Sequence, residues 1–329
     1  MHNFYEGKRV LVTGANGLIG TQISKLLSFY GANVTCTSIE DEFILNDIDI
    51  EYIKADLRYF DKCLEITKNK DVVFSLIGIK GSPQMAINKP SSFFTPTIQF
   101  NTNIIEAARI NNVNDFMYTS SIGVYSPADI FFEDDVWGTF PSRNDWFAGW
   151  AKRMGELQIE ANNIEHNSTN YYIVRPANVF GPYDNFDPNT AMVIPSLIAR
   201  IVDGENPLNV WGDGENIRDF IYSKDVANGM LKCVQQNIKG PINLGSGLGV
   251  KIKDIVNALK KIHSGLEVKW DESKPSGDKI RLMSNKKTDK IKDFVLTDLE
   301  EALAETYNWY TQNRNNKFQR YNSFLEHKK

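Results

Sequence analysis

The nine residues VTGANGLIG, positions 12 to 20, constrain this chain more than any other stretch. An apolar run, Arg9–Val12, precedes them, and a helical pattern, Leu18–Tyr30, follows. Gly14, Gly17 and Gly20 therefore stand where a strand turns into a helix. Glycine allows the tight turn and lets a ligand approach the backbone, and the start of a helix favours an anion. In this position the pattern is that of a cradle for the pyrophosphate of a dinucleotide. Such a unit needs further parallel strands beside it and helices over both faces.

The first half of the chain supplies them. Short apolar runs at Asn33–Cys36, Ile50–Ile53, Asp71–Leu76, Asp115–Thr119 and Tyr171–Val174 are interspersed with helical stretches that include Thr97–Ile110 and Trp150–Asn163. Runs of this kind mark parallel strands covered on both faces. The expected fold class is α/β, a Rossmann-type doubly wound parallel sheet with a smaller mixed α/β C-terminal domain. After Arg175-Pro176 the texture turns to Gly, Pro and Asn in GPYDNFDPNT and WGDGEN, with a helix at Ala191–Asp203 between them. Loops so rich in turn formers lie near a ligand or a domain junction. RDFIYSKDVANGMLKCV reads as a strand and helix returning to the first domain. Residues 1–175 plus about 219–245 are thus expected to form the dinucleotide-binding domain, and about 176–218 plus 246–329 the substrate domain. Further helices are expected at Ile252–His263 and Thr297–Asn313, the latter opened by a capping box of Thr297 and Glu300.

Composition narrows the partners. A formal charge of −4 with no Lys/Arg stripe argues against nucleic acid. Cys36, Cys63 and Cys233 are far apart and in no metal-ligand spacing, so no disulfide framework and no metal site is expected. No apolar run reaches the length that spans a bilayer, so a cytoplasmic protein without a membrane partner is expected.

The cofactor's identity turns on the segment about twenty residues after the glycines, where an acidic side chain holds the adenosine ribose. Glu40 and Asp41 fall there, although Thr37 and Ser38 occupy the place directly after the second strand. No Arg or Lys lies between Lys25 and Lys54 to hold a 2′-phosphate, which favours NAD over NADP. Asp56 in KADLR is placed either to bond the adenine amine or as a solvated loop carboxylate.

VTGANGLIG, KADLR, TSSIGVY, RPANVFGPYDNF, VWGDGENIRDFIYSKDVA and NLGS occur in the order found in the extended short-chain dehydrogenase/reductases of the NAD-dependent epimerase/dehydratase family, which the chain resembles over nearly its whole length. GPYDNF, VIPSLI, VWGDG and IRDFIYSKDVA look most like GDP-fucose synthases and GDP-sugar epimerases. The resemblance implies a homodimer built on the Thr97–Ile110 and Trp150–Asn163 helices, and hydride transfer at one carbon of a nucleotide sugar, in this case a GDP-sugar. On the cofactor side it implies contacts from Asn16, Leu18, Ile19, Leu57, Leu76 and Ile77, joined by Ser120, Pro176, Asn178 and Val179. On the substrate side it implies Arg218 on the diphosphate. Arg281, after the SGDK turn, is placed either for a second contact to ribose or phosphate or on a solvated face, and Asn185, like Asn178, either bonds a ligand or is an ordinary turn residue. The catalytic Ser maps onto Ser121 and the Lys of Tyr-x-x-x-Lys onto Lys152, but the Tyr position is Ala148. The Cys/His epimerisation pair of GDP-fucose synthases maps onto Gly123 and Tyr183, which argues against their 3,5-epimerase/reductase chemistry. The Asp-Glu pair of a 4,6-dehydratase is replaced after Ser121 by Ile122-Gly123, which disfavours dehydration.

Without the phenol a sugar hydroxyl needs another proton acceptor. Tyr183 on the substrate loop, Tyr125, and the Glu133-Asp134-Asp135 run are the candidates, with Tyr183 preferred among them as a base, although a packing aromatic accounts for Tyr183 better still and a solvated loop for the acidic run. The flanking Trp146, Phe147 and Trp150 either fill the vacated space, stack on a ligand, or pack the helix. Ala148 itself fits an introduced inactivating change as well as a natural departure. Two functions stay open at this level: an NAD-dependent nucleotide-sugar epimerase or dehydrogenase with atypical acid/base chemistry, and a regulatory protein that binds NAD(H) and a nucleotide sugar without turnover.

Overall fold

The computed structural model describes residues 1–79, 88–166, 169–187, 190–274 and 278–316. Residues 188 and 189 of the GPYDNFDPNT loop, 276 and 277 of the SGDK turn, and the end of the expected substrate domain lie outside that set. The first half runs α1 (His2–Tyr5), β1 (Arg9–Thr13), α2 (Leu18–Phe29), β2 (Asn33–Ser38), β3 (Glu51–Lys54), α3 (Phe60–Thr67), β4 (Val72–Ser75), α4 (Pro90–Ile110), β5 (Asp115–Thr119), β6 (Ile130–Phe131), α5 (Trp146–Glu165) and β7 (Asn170–Pro176). The second continues β8 (Asn178–Phe180), α6 (Val193–Val202), β9 (Leu208–Trp211), β10 (Ile217–Tyr222), α7 (Ser223–Gln235), β11 (Ile242–Leu244), β12 (Gly249–Lys251), α8 (Ile252–Ile262), β13 (Val268–Asp271), β14 (Ile280–Met283) and α9 (Leu299–Asn313).

Seven strands form one sheet in the order β11-β7-β5-β4-β1-β2-β3, and every neighbouring pair is parallel. Strand order reverses beside β1, which places a crevice at the carboxyl ends of β1 and β4. Successive side chains alternate faces. Val10 and Val12 join Ile23 of α2 and Val226 and Met230 of α7 on one side of the sheet. Leu11 and Val73 join Ile104 and Ile105 of α4 and Ile159 of α5 on the other. β4 and β5 are buried along their whole length, which is why each carries three consecutive apolar residues instead of an alternating pattern.

A separate core gathers Ile194, Leu197 and Ile198 of α6, Ile255 and Leu259 of α8, and Leu303 of α9. β12, β10, β14 and β6 form the second sheet, with β8 also paired to β10, and β9 pairs with β13. Asp219 of β10 is fully buried. It accepts from the backbone N–H groups of Ser246 at 2.7 Å, Gly247 at 3.1 Å and Met283 at 3.1 Å. The carboxylate of the RDF stretch thereby ties β10 to β14 and to the NLGS turn.

Two boundary readings are corrected. α4 begins at Pro90, well before Thr97, because proline suits the first helical position where no N–H bond is needed. Pro96 is accommodated inside the helix although it looks like a breaker. The cap of α9 is Asp298, whose carboxylate accepts from Glu300 N and Glu301 N. Thr297 is drawn instead to Asp225 of α7, bonding it through both backbone N at 2.9 Å and Oγ1 at 2.8 Å.

Candidate active site

A cleft of about 760 Å³ opens at the carboxyl ends of the parallel strands, and its floor is the glycine turn. Gly14 has φ +63°, and a β-carbon there would stand 3.0 Å from the backbone of Ile77. At Gly20 it would stand 2.3 Å from Gly14 O. Both contacts are with backbone, so only hydrogen fits. α2 starts at Leu18 with no side-chain cap and no acidic residue in its first turn. Its first N–H groups are thus left facing the cleft for an anion. Asn16, Gly17, Leu18 and Ile19 line this end, with Leu57, Leu76 and Ile77 opposite.

Beyond the glycines the cleft is edged by charge. Ser38 Oγ donates to Glu40 Oε2, and Asn16 Nδ2 donates to Glu42 O at 2.9 Å. Glu40 and Ser38 both line the cleft, as do Asp56 and Arg58, which pair at 2.6 Å. Arg58 is a cation the sequence reading did not weigh, because it follows the segment in which a phosphate partner was sought.

At the other end Ser120 and Ser121 lead out of β5. Ser121 Oγ accepts from Gly123 N at 3.0 Å and lines the cleft. α5 reaches this turn closely because Gly149 carries no side chain: a β-carbon there would lie 2.3 Å from Gly123 O. Lys152, one turn further, donates through Nζ to Thr119 O at 2.8 Å and Ile77 O at 3.4 Å. Those two residues line the cleft, and Lys152 stands just behind them. Burial pulls its ammonium down to about 8, with Glu156 opposing the shift. Ser120 Oγ donates to Glu156 Oε1 at 2.5 Å. Glu156 in turn takes a two-pronged bond from Arg175, Nε to Oε1 at 2.9 Å and Nη2 to Oε2 at 2.6 Å. This pair is buried beneath the cleft.

Tyr183 is not at the reacting end. It has φ +65°, its hydroxyl accepts from Lys25 Nζ at 3.3 Å, and its ring lies 4.6 Å from that of Trp309. It lines a separate hollow with Gln22, Lys25 and Trp309. This corrects the preferred choice of replacement base: the left-handed backbone turns the ring away from the cleft that its neighbour Asp184 lines. Tyr125 is buried, its hydroxyl donating to Asn243 Oδ1 at 2.5 Å and accepting from Arg175 at 3.0 Å. Burial pushes it up to about 12. Glu133 is buried and accepts from Asn243 N at 3.0 Å, and Asp134 pairs with Lys287 at 2.7 Å on the surface. Asp135 is exposed and does not line the cleft. None of these faces the reacting end.

Pro176, Asn178, Val179 and Asn185 line the cleft from β7, β8 and the following loop. Asn178 Nδ2 donates to Asp219 O at 2.8 Å, and Asn185 Nδ2 to Thr190 Oγ1 at 2.8 Å, so both amides also hold backbone and loop in place. Arg218 and Arg281 are neighbours across β10 and β14 and stand outside the cleft lining. Arg218 donates from Nη1 to Ile217 O at 2.9 Å, and burial, then Arg281, lowers its pKa. Arg281 Nη2 meets Asp145 Oδ2 at 3.0 Å.

Asp145 is the residue sequence reasoning missed. It stands at the start of α5, lines the cleft beside Ser121 and Gly123, and is held by Ser142 Oγ at 3.2 Å. Only its spacing of three and seven residues before Ala148 and Lys152 signalled it. Phe93, Pro96 and Phe100 of α4 also line the cleft, the first two on the turns that precede the expected start at Thr97. Trp146 and Trp150 form a cluster with Phe140, ring centroids 6.0 to 6.1 Å apart. Phe147 packs edge-on to Phe94 at 6.1 Å. None of the three lines the cleft, so of the readings held open for them only packing describes their place.

The sequence profile of the NAD dependent epimerase/dehydratase family matches residues 10–245. The chain is 28% identical over 322 residues to the probable GDP-L-fucose synthase 1 of Oryza sativa subsp. japonica, covering 94% of this chain and 93% of the relative. It is 27% identical over 319 residues to the GDP-L-colitose synthase of Yersinia pseudotuberculosis, covering 94% and 99%. Among solved structures, the UDP-N-acetylglucosamine 4-epimerase of Methanobrevibacter ruminantium M1, in complex with UDP-N-acetylmuramic acid, matches with a TM-score of 0.83 at 28% identity, covering 94% of this chain and 99% of that one.

Proposed function

The chain belongs to the NAD dependent epimerase/dehydratase family, and from that premise we propose that it is an NAD-dependent nucleotide-sugar epimerase or oxidoreductase, acting on a GDP-sugar. The observation that carries the reading is one cleft with the turn of Gly14, Gly17 and Gly20 at one end and Ser121 at the other, where Lys152 stands behind Thr119 and Ile77. The cradle fits a dinucleotide because its turn is drawn so tight at Gly14 and Gly20 that a β-carbon there would strike backbone, while the open N–H groups of α2 begin beside it. When bound, the nicotinamide supplies hydride exchange with a sugar carbon.

The chain's own residues hold and orient the reactants. The N–H groups at the start of α2 bind pyrophosphate. Glu40 and Ser38 receive the adenosine ribose, and the Glu40 carboxylate repels a 2′-phosphate, which supports NAD over NADP. Arg58 is engaged by Asp56, so it offers less to such a phosphate. Ser121 Oγ would bond the reacting sugar oxygen, and Lys152, whose Nζ now donates to Thr119 O, is the residue that would hold the nicotinamide ribose. Arg218 and Arg281 are the diphosphate partners, a guanidinium fork suiting phosphate oxygens. GDP rests on likeness to the fucose and colitose synthases. The two cores support a division of labour between a cofactor domain and a substrate domain. A homodimer through α4 and α5 is part of the proposal: those helices pack on each other and expose Ile110, Leu157 and Ile164, and sedimentation as a monomer would refute it. The site is cytoplasmic in this reading. No helix among the described residues is long and apolar enough to cross a membrane.

The test is reduced-nicotinamide absorbance and product analysis after mixing the protein and NAD with GDP-, UDP-, CDP- and dTDP-hexoses. A signal or a changed sugar with GDP-hexoses supports the proposal, and a preference for another nucleotide corrects the substrate. Binding without any chemistry supports the regulatory reading.

A further inference from the structure

Hydride chemistry at a sugar hydroxyl needs a proton acceptor, and Ala148 provides none. A helical side chain covers the surface over the turn N-terminal to its own Cα. A phenol on residue 148 would therefore lie over the start of α5, where Asp145 stands. Residues 145, 148 and 152 share one face at spacings of three and four. The point where a side chain on Gly123 would begin is 3.4 Å from both Ser121 Oγ and Asp145 Cβ and 3.5 Å from Asp145 Cγ, so the serine and aspartate side chains border one notch. Asp145 lines the cleft. Its Oδ2 is held by Arg281 at 3.0 Å and Ser142 Oγ at 3.2 Å, while Oδ1 has no hydrogen-bond partner among the described residues.

From this juxtaposition we propose that Asp145 is the catalytic base, taking the proton that the missing tyrosine would take. The inference rests on the nucleotide-sugar reading above. The O–H bond of the sugar hydroxyl breaks and its proton passes to Oδ1 of Asp145. The O–H electron pair becomes the second C–O bond, and the C–H bond leaves as hydride to the oxidised nicotinamide dinucleotide. A carbonyl, a neutral carboxylic acid and a reduced dinucleotide balance the step. Arg281, braced on its other side by Asp278 at 3.9 Å, aims the carboxylate through Oδ2 and leaves Oδ1 to the substrate.

The experiment compares wild type with Asp145→Asn and Asp145→Glu, using the hexose panel, calorimetric titration of NAD, and thermal unfolding. Asp145→Asn is expected to bind NAD as wild type does, to remain folded, and to lose roughly 10²–10⁴-fold in kcat rather than in KM. Asp145→Glu is expected to recover part of the loss. An undiminished kcat in Asp145→Asn overturns the role of Asp145 alone. Loss of NAD binding or of folding in Asp145→Asn, with Asp145→Glu equally impaired, overturns it as well, in favour of a structural role. Wild-type silence with every sugar despite NAD binding overturns the nucleotide-sugar reaction itself and the base with it.

Discussion

Removing Glu156 tests how the reacting end of the cleft is held. Arg175 is fully buried, and Glu156 is 3% exposed. The guanidinium makes two bonds to that carboxylate and two more, to Tyr125 and to Glu133 O at 2.8 Å. Glu156→Ala leaves a buried cation with its charge uncompensated, and Ser120 loses its acceptor. Breaking a buried pair from one side costs about 3–5 kcal/mol. With an unfolding entropy of about 2.1 cal/mol/K per residue over 329 residues, that is a fall of about 4–7 °C in Tm for a single cooperative transition. Denaturant unfolding followed by tryptophan fluorescence, with NAD affinity measured alongside, reads both effects. Affinity is expected to fall too, because Ser120 and Pro176 line the cleft. The double variant Glu156→Leu with Arg175→Met removes both charges and is expected to regain most of the stability. A loss under about 1 kcal/mol for Glu156→Ala, or a double variant no better than the single, refutes the argument that an unmatched charge is what costs.

Three other outcomes are expected. Gly20→Ala places a β-carbon 2.3 Å from Gly14 O, so NAD affinity measured by calorimetry falls by about tenfold or more, 1.4 kcal/mol per decade. Lys152 is held at about 8 in the folded state against an ordinary 10.5. The unfolded chain then binds more protons between those values, so this group's burden on stability is full below about 8 and is relieved as pH rises towards 10.5. Lys152→Met should accordingly unfold at higher temperature than wild type near neutrality, the gap closing over that alkaline range, while binding NAD more weakly. Ala148→Tyr restores a phenol beside Lys152 and is expected to raise the hydride-transfer rate or, in Asp145→Asn, to replace what was lost. Reduced-nicotinamide absorbance checks both.

What the sequence determined by itself was carried by local rules. The glycines of VTGANGLIG act through the backbone of their own turn, and the apolar runs of β4 and β5 record burial on both faces, so cradle and sheet are legible without a fold. The residues expected on the cofactor side, from Gly14 to Val179, line one cleft, Lys152 excepted, because they lie at strand ends, in the turns after them, in the first turn of α2 or on the short β8. What only the tertiary structure decided depends on partners distant in the chain. Thr297 is a plausible cap until Asp225, 72 residues away, takes both its donors. Tyr183 is a plausible base until its backbone turns the ring onto Trp309. Asp145 is one carboxylate among many until Arg281, 136 residues away, fixes one of its oxygens at the edge of the cleft that Ser121 also lines. A charge acquires its role from the distance and direction of its neighbours, and both are set by how helices and sheets pack rather than by the residues on either side.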